Sequence, residues 1–247
     1  MIELTHILQR CDTLLSPHNF QDYCPNGLQI AGTQKIRHIV SGVTACQALI
    51  DRAITLNADI VLVHHGFFWK NEAPQIIGTK QQRIKALLTH DINLIAYHLP
   101  LDAHPEFGNN AQLAKKLGIT VKGTFGQHDL ALWGTIPESS APAFASQLTQ
   151  TLGRTPQHFG PNHAIRNIGL CTGAAQSFLG AAAELGLDAF ISGEVSESTY
   201  HLAVETPIHY FSAGHHATER YGVQALGNHL ADHFQIGHTF VDIDNPV

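Results

Sequence analysis

The chain is poor in what several familiar site chemistries require. Of its 247 residues only four are cysteine, Cys11, Cys24, Cys46 and Cys171, scattered and without a C-x-x-C pair. A zinc ribbon and a disulfide framework are therefore not indicated. Basic charge is scarce: 14 Lys and Arg stand against 20 Asp and Glu, a formal net charge of -6. Such a chain has no global positive field to hold nucleic acid or an anionic membrane. The local cluster Lys80, Arg83 and Lys85 reads as a solvated helix face. Long apolar runs are missing, and none approaches the roughly 18 residues of a membrane span. The opening "MIELTHILQRCDTLL" has an amphipathic helical period rather than the apolar core of a signal peptide. A soluble, cytoplasmic protein is the expectation. Gly-rich phosphate loops are absent as well. No G-x-G-x-x-G follows a strand and no G-x-x-x-x-G-K-[ST] occurs, which disfavours dinucleotide and P-loop chemistry.

Histidine, by contrast, is abundant. There are 18, more than Lys and Arg combined, with no run of six. Imidazole is the commonest protein metal ligand and the side chain that titrates nearest neutrality. His6, His18, His38, His90, His128, His158, His163, His229, His233 and His238 sit singly in helical or loop contexts, where a surface or satisfied-core role is expected.

The chain also repeats itself. "IVSGVTACQALIDRAITLNADIVLVHHG" (39–66) aligns with "IGLCTGAAQSFLGAAAELGLDAFISGEV" (168–195) at an offset of 129, matching Ile39 with Ile168, Gln47 with Gln176, Ala53 with Ala182 and Asp59 with Asp188. Each copy reads as apolar strand, Ala/Leu-rich helix, turn and second apolar strand. That order implies parallel strands joined by a right-handed crossover. A further block, "NLIAYHLPLDAH" (93–104), is set on "TPIHYFSAGHHA" (206–217) at an offset of 113, so that Ile95 meets Ile208, Tyr97 meets Tyr210 and Asp102 meets His215. The two offsets differ by 16, which places an excess of about 16 residues after the first copy's second strand. A helix is expected at about 141–152. The fold class expected is α/β, two similar helix-sheet-helix lobes from an internal duplication. The first lobe is assigned to 1–125 plus 235–247 and the second to 126–234.

Ligand sites in open parallel sheets lie beyond the C-terminal ends of strands. The polar residues of this chain collect there. "DIVLV" runs into His64 and His65, "NLIAYHLPL" into Asp102, and "PIHYFSAG" into His215 and His216. Glu219 follows His215 at i+4, a spacing that shares one helix face. Buried carboxylates beside imidazoles need a cation to offset their desolvation. Five ligands, His64, His65, Asp102, His215 and Glu219, exceed the three protein ligands of an open catalytic zinc. They suit two ions, with a carboxylate as bridge. Glu219 is the expected bridge, and His64 and His65 are expected to serve different ions. His216 is expected to support rather than ligate. Mixed N/O donors leave the ion open among Zn, Mn, Fe and Ni.

"VLVHHG", "AYHLPLDAH" and "GHHATERYGVQAL", with "NGLQIAG" (26–32) and "ISGE" (191–194), resemble the GTP cyclohydrolase I type 2 homologue, or NIF-three-like, family, in particular its short bacterial YbgI-type members. The likeness runs almost from end to end. It implies a NIF-three-like fold, two metal ions held by the same five residues between the lobes, and a toroidal homohexamer with sites facing an inner cavity. The chemistry expected is metal-assisted hydrolysis of a small nucleotide-like molecule, as in GTP cyclohydrolase type 2-like action. His98 is the first candidate for proton transfer and Glu194 the second, each with an alternative role in orienting a ligand histidine. Lys80, Arg83 or Lys115 is available to phosphates. The rival readings are a non-catalytic metal-binding oligomeric scaffold and a nucleotide phosphoesterase. Phe67, Phe68 and Trp69, in "GFFWK", are expected either to meet another subunit or line the cavity, or to pack beneath their own loop.

Overall fold

The computed structural model describes residues 1–247. It divides into two compact units, 1–101 with 222–244 and 102–221 with 245–247. The chain begins with β1 (Ile2–Glu3), α1 (Leu4–Leu15), β2 (Gly27–Ile30), β3 (Lys35–Ile36), β4 (His38–Thr44), α2 (Gln47–Thr55), β5 (Ile60–His65), α3 (Gly78–Thr89), β6 (Asn93–Ala96) and α4 (Leu99–Ala103). There follow α5 (Asn109–Lys116), β7 (Thr120–Phe125), β8 (Ala131–Ser139), α6 (Ala141–Leu152), β9 (Gln157–Phe159), β10 (Ile165–Leu170), α7 (Leu179–Glu184), β11 (Ala189–Ser192), α8 (Glu197–Glu205), β12 (His209–Ser212) and α9 (His215–Thr218). It closes with α10 (Arg220–Phe234) and β13 (Gly237–Phe240). Helix α6 occupies the stretch expected for it.

In the first unit the strands are apolar on both faces because helices cover both. The sheet order is β13-β4-β5-β6-β2, with β4, β5 and β6 parallel. Successive residues alternate between two cores. Val40, Val61, Val63, Leu94 and Ala96 pack with Leu49, Ile50 and Ala53 of α2 and with Ile84 and Leu87 of α3. Ile39, Ile60, Leu62 and Ile95 face the other way, onto Leu4, Ile7, Cys11 and Leu15 of α1 and Val223, Leu226 and Leu230 of α10. Phe67 is buried in the first of these cores, which settles that residue of "GFFWK" as packing.

The second unit holds a six-stranded sheet of order β7-β8-β10-β11-β12-β9, in which β10, β11 and β12 run parallel. Ile168, Leu170, Ala189, Ile191 and Phe211 pack with Leu113 and Leu117 of α5 and with Phe144, Leu148 and Leu152 of α6.

The units divide at 101/102 and 221/222 rather than at 125/126 and 234/235. Strand β7 belongs with the second unit because it pairs along β8. Most of α10 belongs with the first because its apolar residues enter that unit's core.

The backbone carries the duplication more firmly than the side chains do. Ile39 pairs with Ile60 and Ile168 with Ala189, the same register at an offset of 129. Asp59 Oδ2 accepts hydrogen bonds from the amides of Arg37 and His38, at 2.7 and 3.0 Å. Asp188 Oδ2 accepts from Arg166 and Asn167, at 2.9 and 2.7 Å, again 129 residues on. The third strands correct the expected alignment. Asn93 pairs with Ile60, and His209 with Ala189. Their offset is 116, not 113, so Ile95 corresponds to Phe211 and Asp102 to Thr218. The excess after β5 is 13 residues, the difference between 129 and 116, rather than 16.

Candidate metal centre

In the first unit, β5 ends on His64 and His65. His64 is fully buried, with Nδ1 3.0 Å from the carbonyl oxygen of Tyr97. A carbonyl can only accept, so in the neutral ring Nδ1 carries the hydrogen and Nε2 the lone pair. His65 Nδ1 lies 3.1 Å from the hydroxyl of Thr44, its register partner on β4. His98 Nδ1 lies 2.6 Å from Asp22 Oδ1. Oxygen on Nδ1 is how metal-binding histidines are commonly oriented. Donor atoms of His64, His65 and His98 fall within 4.8 Å of one another. The His64 and His65 rings are 4.6 Å apart, tilted rather than splayed. Trp69 sets its ring 5.1 Å from His98 and 5.8 Å from His65, so it lines this cluster.

Asp22, Cys24 and His98 form a second group on the same scale. Burial would raise the Asp22 carboxyl, but hydrogen bonds and charge from His98, with Asn26 and the Tyr23 amide, outweigh it and hold Asp22 down at about 2. Burial, then the Asp22 charge, pushes the Cys24 thiol up to about 12. It stays protonated near neutrality, unlike a reactive cysteine.

"NGLQIAG" fastens this cluster in place. Asn26 Oδ1 accepts from the His98 amide at 2.7 Å, and Gln29 Oε1 accepts from the Phe67 amide at 2.6 Å. A Cβ on Gly32 would fall 2.2 Å from the Asp91 carbonyl oxygen, so only glycine fits there.

In the second unit the candidate residues gather around Cys171–Gly173, just after β10. Asp102 Oδ1 accepts from Asn109 Nδ2 at 2.9 Å and from the Thr172 hydroxyl at 3.4 Å. His215 Nδ1 lies 2.7 Å from Glu194 Oε1, and its Nε2 lies 3.1 Å from Glu219 Oε2. Glu219 is only 3% exposed. Gly173, at φ +68°, makes the room: a Cβ there would fall 2.1 Å from Glu219 Oε1 and 3.3 Å from His215 Nε2. Burial alone would lower the His215 pKa, but Glu219 and then Glu194 outweigh it and raise it to about 9. Without metal, then, His215 carries positive charge between two carboxylates. A divalent cation would take over that charge, and the imidazole and carboxylate donors suit one. His216 is buried, and its amide donates to the Val247 carbonyl at 3.1 Å.

Asp22, Thr44 and Gly173 are not among the residues that the sequence singles out. Thr44 and Gly173 occupy the same place in the repeat, 129 apart, and that is the signal that could have found them. Of the suggested phosphate holders, Lys80 is engaged, 3.2 Å from Glu72 and over the Phe68 ring. His158 and His163 are not isolated. Both hydrogen bond to His209, at 3.0 Å each. No helix is long and apolar enough to cross a membrane.

A profile of the family described as Duf34/NIF3 (NGG1p interacting factor 3) matches residues 2–246. A Pseudomonas aeruginosa protein named GTP cyclohydrolase 1 type 2 homolog is 51% identical over 99% of this chain and 99% of its own. A Vibrio cholerae protein of the same name is 54% identical over 94% of this chain and 95% of its own. The solved structure of the protein ybgI superposes with a TM-score of 0.96 at 48% identity, covering 100% of both chains.

Proposed function

The chain belongs to the Duf34/NIF3 family, and from that premise and the donor sets of its two units we propose that it is a dinuclear metal-dependent hydrolase acting on a nucleotide-like substrate. His64, His65, Asp102, His215 and Glu219 would hold the two ions, with Glu219 the carboxylate that both could share. The observation that carries this reading is the orientation of the imidazoles: Tyr97 O, Thr44 and Glu194 occupy Nδ1 of His64, His65 and His215. Such an investment in ring orientation is characteristic of ligation. The ions are two of Zn, Mn, Fe or Ni. When bound, they supply Lewis acidity and lower the pKa of water near neutrality.

The chain's own residues supply the rest. His98, fixed through Nδ1 by Asp22, carries protons on its other nitrogen. Glu194 orients His215 and is the second proton carrier. Trp69 keeps bulk water from the His65 and His98 rings. The name borne by the relatives makes GTP the first substrate to try, with opening of the purine ring as the reaction sought. The assembly we propose is a homohexamer, which sedimentation at micromolar concentration tests.

The decisive experiment measures metal content of chelator-free protein and screens the metal-loaded form against nucleotides, with His65→Ala as control. About two ions per chain and turnover lost in the variant are expected. Two ions without turnover on any nucleotide would leave a non-catalytic metal-binding scaffold. Release of phosphate with the base intact would identify a phosphoesterase. A chain that takes up no metal defeats the reading altogether.

A further inference from the structure

The second unit contains a cavity of about 530 Å³ with Asp102 in its wall. A volume in this range suits a small organic molecule. Its lining comes from the end of α4 and the turn after it, from α5 and from β7 and β8. We propose that this cavity is the seat of the substrate's organic body, and that the substrate is a nucleoside phosphate whose phosphate meets Lys115 and whose reacting end meets Asp102. The inference rests on the metal-dependent reading above and assigns its substrate a place.

Three observations carry it. First, the walls are preformed. Asn110 is buried, and its side chain joins the Asp102 and Leu130 carbonyls to the Thr172 amide, at 3.2, 3.0 and 2.8 Å. His104 Nδ1 accepts from the Glu106 and Phe107 amides at 3.1 and 2.9 Å, and its ring stacks on Phe107. A cavity held open by such bonds does not require the ligand to build it.

Second, the lining is amphipathic in a way that selects a ligand. Ile119, Val121, Leu132 and Ala111 offer apolar contact suited to the flat face of a base. Val121 lines the cavity and is 45% exposed, so its side chain is open to a ligand. Lys115 is the one lysine or arginine in the lining, and it is exposed on the last turn of α5. A lysine ammonium is a suitable point charge for phosphate.

Third, the two charged groups of the wall are opposite in sign. Asp102 repels an anion until a divalent ion reverses the local charge. The phosphate therefore belongs at Lys115, and the group to be attacked at Asp102. This polarity also makes binding depend on metal.

Calorimetric titration of metal-loaded protein with guanosine 5′-monophosphate, guanosine and orthophosphate tests the assignment. The monophosphate is expected to bind more tightly than either part alone. Lys115→Ala, a change at an exposed site that leaves the core intact, is expected to weaken the monophosphate about tenfold, the loss of one charge-assisted contact, and to leave guanosine unchanged. Val121→Trp is expected to fill the cavity and abolish binding of both, with metal content unaltered. Binding of the monophosphate that survives both variants overturns the proposal, as does orthophosphate binding as well as the monophosphate. Failure of every nucleotide to bind protein carrying two ions per chain also overturns it. If the variants behave as expected but no nucleotide is turned over, the cavity stands and the hydrolase reading falls. If turnover is indifferent to Val121→Trp, the hydrolase reading stands and the cavity falls.

Discussion

The two strand-helix-strand segments, β4-α2-β5 and β10-α7-β11, are the same scaffold put to different chemical use. Asp59 and Asp188 tie the first strand to the turn before the second in the same way. At the far ends of those strands the identities part. The first segment places Thr44 against His65, where a hydroxyl can orient an imidazole. The second, 129 residues on, has Gly173 and Glu194. There glycine leaves space for Glu219 and His215, and Glu194 orients His215. One copy therefore carries donors on the strand itself, and the other holds donors that arrive from α9 and the residue after it. The difference in chemistry lies at the ends of the strands, where a side chain can change without disturbing the sheet between.

The sharpest way to break this comparison is at Glu219. If the two half-sets share one bridging carboxylate, Glu219→Gln should reduce metal from two ions per chain to nearly none, whereas His64→Ala or His65→Ala should each empty one position. Elemental analysis after gel filtration decides it. Loss of only one ion in Glu219→Gln would make that carboxylate terminal and move the bridge to Asp102 or to water.

Next in size is the exchange of Thr44 and Gly173 for alanine. Gly173→Ala meets a positive φ and a contact of 2.1 Å with a buried carboxylate oxygen. A cost of about 2–3 kcal/mol in stability is expected, with loss of metal. Thr44→Ala removes only an orienting hydroxyl and should weaken metal about tenfold at the His65 ion, with little effect on folding. Equal effects from the two would mean that the half-sites are not differently built.

The shared part of the comparison can be tested too. Asp59→Ala and Asp188→Ala each strand two backbone amides, which should cost about 2 kcal/mol apiece by urea unfolding. Asp59 is the more buried and should cost the more. A silent Asp188→Ala would show that the matching geometry does not reflect matching energetics.

The 129-residue offset is legible because the turn Asn57-Ala58-Asp59 and the turn Gly186-Leu187-Asp188 do the same work with similar residues, positive φ included. The third strand is displaced by three residues in the sequence alignment because Ile95 and Tyr97 resemble Ile208 and Tyr210 in type, and type alone does not fix register. An odd shift also exchanges the faces of a strand. Ile95 belongs to one core of its sheet, and its counterpart Phe211 is visible only through backbone pairing. The five ligand candidates are legible because imidazoles and carboxylates are rare after apolar strands. Asp22 is not, since its partner His98 is 76 residues away and nothing local marks the pair. The unit boundary is not legible either, since an exposed strand such as β7 joins whichever sheet offers it an edge.

The smallest effect concerns the edge of the first sheet, which has no equivalent in the second. His238 on β13 lies between Ser41 Oγ and Asn228 Oδ1, each at 2.8 Å, and against Gly227, where a Cβ would fall 2.2 Å from its Nε2. Asn228 Oδ1 accepts, so the neutral ring carries hydrogen on Nδ1 and receives the Ser41 hydroxyl at Nε2. Burial, with the neighbouring His38 charge, pulls the His238 pKa from 6.5 down to about 4. The unfolded chain therefore takes up this proton before the folded one does. Its contribution is fully present above about pH 6.5 and is lost as pH falls toward 4, a change on the order of 1–2 kcal/mol after allowance for partial exposure. Urea unfolding between pH 7 and pH 4.5 should show the decline, and His238→Gln should flatten it, since an amide keeps a polar partner for Ser41 and cannot titrate. A variant that declines with the same slope as the parent would mean that acid loosens the fold elsewhere, with the carboxylates of the second unit the next groups to test.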